Sequence, residues 1–99
     1  MYTTKNEEDN TMKKNNGIET TNAIGNGYWS KGEHNGYRFW VKHYDEPSAD
    51  FGWQGSRISK IEIRDKTGKT TFNYDRGLDI DAQDKGTIKV LDYLMTIFG

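Results

Sequence analysis

From Tyr37 to Tyr44 the chain alternates between two kinds of position. Tyr37, Phe39, Val41 and His43 fall on one side of an extended backbone, and Arg38, Trp40, Lys42 and Tyr44 fall on the other. A period of two, with one set fit for burial and the other large and amphipathic, marks an antiparallel strand with a core face and a wetter face. This stretch is expected to be the central strand. Upstream, Tyr28–Lys31 reads as a short strand, and Gly32–Gly36 carries Asn35-Gly36, the strongest short hairpin signal. Downstream, the segment from Arg57 to Arg64 reads as a third strand. Ile61 and Ile63 share a face with Ser59 while Ile58 falls on the other, which calls for a bulge near Ser59–Lys60 or for cover over both faces. Asp65–Lys69 is a hairpin turn with a glycine, and Thr70–Asp75 is a fourth strand with Phe72 and Tyr74 inward.

The period then changes from two to the helical value. Asp84 is an N-cap candidate, and Gly86–Phe98 reads as a helix with Ile88, Leu91, Leu94, Met95 and Phe98 in one stripe, widened by Val90 and Ile97. The fold class expected is α+β: a four-stranded antiparallel meander with one C-terminal helix packed on one face. Phe39, Val41, Ile61, Ile63, Phe72 and Tyr74 would meet the helix stripe. One helix covers only part of such a sheet, so the face with Trp40 and Tyr44 is expected to stay open or to be covered by another chain.

Composition adds a boundary. Of three Trp, six Tyr and four Phe, only Tyr2 precedes residue 27. Residues 1–26 are expected to form a polar N-terminal extension, and 27–99 one domain. Residues 1–17 are rich in Asn, Thr and charge and read as a solvated tail. Ile18–Ile24 would add a short edge strand, with Ile18 and Ile24 on one face. Asp45–Gly55 is a long connection holding the single Pro together with Phe51 and Trp53, and it is expected to fold back over one face of the sheet.

Net charge is −1, and residues 27–99 balance 11 basic against 11 acidic groups. No global field points to nucleic acid or to a basic partner, so binding must rest on a local patch. The absence of cysteine excludes disulfides and thiolate metal sites. No apolar run reaches the roughly 20 residues of a membrane span, and no secretory signal is expected at the N-terminus.

Four segments together resemble a known family: Gly36–Ser48, the Phe51-Gly52 pair, Arg57–Ile63 and Asn73–Gly77. They are similar to a family of small uncharacterised domains found in Gram-positive bacteria, their phages and mobile elements. The resemblance covers roughly residues 28–98. It implies the strand order above and a setting in the bacterial cytoplasm, but no activity. Members begin near the first strand, which makes the 26-residue N-terminal part look like an addition. They typically carry Trp where this chain has Leu78.

Two sites are candidates. The first is the sheet face bearing Trp29, Arg38, Trp40, Lys42 and Tyr44, joined by Phe51 and Trp53 of the long connection. Trp, Tyr and Arg are the residues enriched at protein-interface hot spots, so a protein partner or a second copy is the expected occupant. Cations interleaved with aromatics also suit single-stranded nucleic acid, although sheets used that way are usually more basic. The second is a charged corner of Arg57, Asp75, Arg76 and Asp79, fit for a nucleotide or other polar ligand, or else an ion-pair network closing the corner, with Gly77 at positive φ.

His34 and His43 are the only histidines. With Asp45 and Glu46 they fall short of a metal motif, and His43 with Asp45 and Ser48 makes a triad only on paper. Gly52–Gly55 lacks the Lys-Ser/Thr tail of a phosphate loop. The expectation is therefore a small non-enzymatic interaction module without cofactor, and the family resemblance implies that a phage or mobile element carries it. It would bind a host or phage protein, with inhibition of a host defence system such as CRISPR as one candidate role.

Overall fold

A computed structural model describes residues 12–15 (backbone), 17–50 and 52–99. Seven strands follow one another in a single antiparallel sheet, each beside its neighbour in sequence. They are β1 (Met12–Asn15), β2 (Ile18–Asn22), β3 (Tyr28–His34), β4 (Tyr37–His43), β5 (Ile58–Arg64), β6 (Thr70–Asp75) and β7 (Leu78–Ile80), with helix α1 (Lys85–Phe98) last. The α+β class, the antiparallel pairing and the C-terminal helix are as expected. The count of four is corrected to seven among the described residues. Two added strands lie ahead of Tyr28 in polar sequence with little period-two signal. The third, β7, is only three residues long.

Residues 1–11, most of the expected tail, lie outside the described residues. β2 is not an edge strand, because β1 pairs along its outer side. Ile18 is buried in the core, whereas Ile24 falls beyond the strand and is fully exposed.

β3 runs three residues further than expected, through Gly32 and Glu33 to His34. The turn is therefore only Asn35-Gly36, with φ of 56° and 81°, the double positive φ of a tight hairpin matched to the strand twist. In β4, Phe39, Val41 and His43 are buried as the alternation requires.

The mismatch at Ile58 resolves as a bulge. Lys42 pairs with Lys60 but His43 pairs with Ile58, so Ser59 is the extra residue. The slip returns Ile58 to the core face, where it is fully buried beside Ile61 and Ile63.

The core lies between one face of the sheet and α1. Ile18, Phe39, Val41, Ile58, Ile61, Ile63 and Phe72 meet Val90, Leu94 and Phe98. The helix stripe is rotated from the expected one. Its buried positions are Thr87, Val90, Leu94 and Phe98, while Ile88 is about half exposed. Thr87 holds the rotation because its hydroxyl is satisfied. It donates to the Asp84 carboxylate at 2.7 Å and lies 2.8 Å from the Thr71 hydroxyl on β6.

Asp84 also accepts from the Thr87 amide at 3.1 Å, which makes it the N-cap, and Tyr37 donates its phenol to the same carboxylate. The Tyr37 ring and hydroxyl lie close against Gly86, where a Cβ would overlap them. Glycine in the first turn of α1 is the condition for that approach.

The long connection adds cover over β6. Trp53 sits edge-on to Phe72 and Tyr74, with ring centroids 5.3 and 5.1 Å away. A 3₁₀ turn, Trp53–Gly55, sets it there. Helix α1 and Trp53 thus lie on the same side of the sheet, and among the described residues no element packs as a layer on the opposite face.

Candidate functional site: the open sheet face

Register places the side chains of the open face. Trp40 stands at its centre, directly across from Lys31 on β3 and from Glu62 on β5. Trp29 is across from Lys42, Arg38 is flanked by Glu33 and Arg64, and Lys60 is flanked by Lys42 and Asp75. Glu19 on β2 faces Lys31. Among the described side chains, five cations and four carboxylates therefore share the face with two tryptophans. Trp29 is 37 % exposed.

The charges are unevenly paired. Lys31 meets Glu19 at 3.7 Å, Lys60 meets Asp75 at 3.5 Å and Arg64 meets Glu62 at 2.7 Å. Among the described residues Arg38 and Lys42 have no carboxylate within ion-pair distance. Each lies instead over an aromatic ring. The Arg38 and Arg64 guanidiniums stand 5.7 and 5.3 Å from the Trp40 centroid, and the Lys42 ammonium stands 5.7 Å from that of Tyr44. Tyr44 in turn lies over Gly27 in the β2–β3 turn.

The face is grooved. Hollows of about 340, 180 and 220 Å³ open among the described residues, and Trp40 lines all three. Trp29 lines the last two, with Glu19 and Lys31 beside it in one and Lys60 and Asp75 in the other.

The expected partner-binding residues thus divide. Trp29, Arg38, Trp40, Lys42 and Tyr44 come together on the open face. Trp53 is on the other side of the sheet, packed on the core, and Phe51 lies outside the described residues.

The charged corner does not converge. Arg57 turns to the C-terminus of α1, where its guanidinium donates to the Phe98 carbonyl at 3.1 Å and to the Ile97 carbonyl at 3.4 Å. A cation there satisfies carbonyls left bare at the helix end and complements the dipole. Asp75 is on the open face with Lys60, and Asp79 is exposed in β7. The positive φ of the corner belongs to Arg76 (56°), not to Gly77, and the Arg76 amide bonds the Ser59 carbonyl across the bulge.

His34 and His43 also separate. His34 stacks on Tyr93 of α1, centroids 3.7 Å apart. His43 is buried between Tyr28 and Phe98. Its Nε2 is 2.8 Å from the Ser30 hydroxyl, itself 2.7 Å from the hydroxyl of Thr20. Burial, with the Arg57 guanidinium adding to it and Asp45 opposing, lowers the His43 pKa from 6.5 to about 4, so the ring is neutral at pH 7. The serine that meets a histidine is therefore Ser30 rather than Ser48. It is 1 % exposed, so the pair satisfies polar groups inside the core and offers no route to a substrate. Sequence periodicity could not have found it, because a single Ser in β3 carries no mark of its partner.

No three of His, Asp and Glu among the described residues group to hold a metal ion. No helix among them is long and apolar enough to cross a membrane. Residues 28–99 match the family model of a domain of unknown function (DUF7678), which begins at the first residue of β3. No curated protein and no solved structure matches the chain.

Proposed function

Since the chain belongs to DUF7678, a domain of unknown function, its role has to be read from its own surface, and we propose that it is a non-catalytic protein-docking module that works through the open face of β3–β5. One observation carries this reading. The core side of the sheet is closed by α1 and Trp53, while Trp29 and Trp40 stand among hollows on a side that no element of the described chain covers. Aromatic and Arg side chains in hollows with a charged rim are the composition of interface hot spots. The setting that goes with this role is a bacterial cytoplasm, with a host or phage protein as partner; inhibition of host defence is one form it would take.

The test separates docking from stability. Trp40→Ser and Trp29→Ser are compared with the parent by urea unfolding and by photo-crosslinking from position 31 in the native host. Docking predicts lost crosslinks and an unfolding midpoint shifted by no more than about 1 kcal/mol in free energy. Unfolding of both variants with crosslinks unchanged refutes it. Sedimentation of the purified protein identifies a second copy of the chain as the occupant if that is the partner.

A further inference from the structure

Resting on the docking reading, we infer that the open face takes an extended acidic segment of another protein, with two carboxylates four residues apart and an apolar side chain between them. The like-charged rungs of the sheet lead to this. Arg38 lies directly across from Arg64, and Lys42 directly across from Lys60. Like charges at opposed positions destabilise a sheet, so two such rungs on one strand pair need a compensating anion. Arg64 and Lys60 find theirs in Glu62 and Asp75. Arg38 faces Glu33 across the other strand pair, but neither it nor Lys42 has a carboxylate within ion-pair distance among the described residues. The two cations are four residues apart on the same face of β4, a separation of about 13 Å, which an extended segment reproduces between its own residues i and i+4.

The chemistry between the two cations fits the residue at i+2. Trp40 lies midway, and the two hollows it shares with Trp29 measure about 180 and 220 Å³, each with room for an aliphatic side chain. Stacking against Trp40 holds the Arg38 guanidinium in place before any ligand arrives, which lowers the ordering cost of an Arg–carboxylate contact. A continuous polyanion fits less well. Glu19, Glu33, Glu62 and Asp75 line the same hollows, so a phosphate chain crossing the face would meet four carboxylates. Two discrete carboxylates meet fewer of them, since Arg38 has Glu33 across from it and Lys42 has Trp29 and Lys60.

The test uses blocked synthetic peptides and the full chain. The probe is Gly-Glu-Thr-Val-Thr-Glu-Gly; the comparisons are a peptide of the same composition with adjacent glutamates, a Gln-for-Glu version, and an oligothymidylate. Binding is read from tryptophan fluorescence and from amide shifts of β4. The spaced peptide is expected to bind about threefold or more tightly than the others, and Arg38→Gln with Lys42→Gln is expected to abolish that preference. Lys66→Gln, outside the two rungs, should leave it intact. Equal binding of the spaced and adjacent peptides, a preference that survives the double variant, or tighter and steeply salt-dependent binding of the oligothymidylate overturns the inference. If the peptides fail while crosslinks from position 31 persist and depend on Trp40, only the acidic-segment assignment falls. Should the crosslinks vanish from the parent protein as well, the docking reading falls with it.

Discussion

Acidification from about pH 7.5 to pH 5 should weaken this fold through one residue, His43. In the folded chain its pKa is lowered from 6.5 to about 4, chiefly by burial. The unfolded chain therefore takes up the proton first. Stability is complete above 6.5 and falls as the pH drops from there toward 4. At pH 5 the full linkage is about 2 kcal/mol, since each pH unit of protonation difference is worth about 1.4 kcal/mol. The residue is 9 % exposed, so contact with solvent reduces the expected loss to between about 1 and 2 kcal/mol. The held-low carboxylates of Asp65 and Asp84 act below their ordinary value of 3.8 and stay out of this window.

Urea unfolding at constant ionic strength measures the effect. With a slope of about 1 kcal/mol per molar, the midpoint should fall by roughly 1 to 2 M. His43→Gln keeps a hydrogen-bonding partner for Ser30 and has no charge to gain, so its midpoint should be flat over the same range. An equal fall in parent and variant, or an NMR titration placing His43 near 6.5, refutes the reasoning.

Gly86→Ala raises helix propensity yet should lower the melting temperature, by about 1 to 2 kcal/mol in free energy, because the new methyl overlaps the Tyr37 ring; removing that ring by Tyr37→Ala should reverse the sign, and a stabilised single variant would disprove the contact. Val90→Ala should cost about 1 to 3 kcal/mol and Ile88→Ala less than about 0.5, as chemical denaturation will report, since Val90 is fully buried and Ile88 is not. Asp84→Ala removes the cap and the acceptor of the Tyr37 phenol, so helical circular dichroism should melt earlier at pH 7; the Tyr37 hydrogen bond holds the carboxyl below its ordinary 3.8, so the difference from the parent should persist down to that pH and shrink only under more acidic conditions, as the parent carboxylate takes up its proton.

The elements that could be read from the chain were those whose signal is local. Alternation through Phe39 and Val41, the Asn35-Gly36 turn and the apolar repeat of α1 each lie within a few residues, and each formed. Ile58 was legible as a conflict, and the conflict named the bulge. β1 and β2 were hard to read because their Thr, Asn and Lys residues give no apolar alternation; β2 is placed by pairing to β3, and β1 by pairing to β2. The helix stripe was misread because Thr87 is polar. Only the carboxylate of Asp84 and the hydroxyl of Thr71 make it a core residue. The open face was legible as a composition, but its charge pairing was not.

By itself the sequence determined the α+β class, the central strand, which of its faces enters the core, and the helix that follows, because these depend on spacings along the chain. The tertiary structure alone decided that Ser30 meets His43, that Arg57 caps α1 rather than joining Asp75, that Trp53 packs on the core side, and that among the described residues no carboxylate comes within ion-pair distance of Arg38 or Lys42. Each of those outcomes depends on which strand lies beside which and at what register, and a hydrogen bond or ion pair between distant positions leaves no periodic trace in the residues that make it.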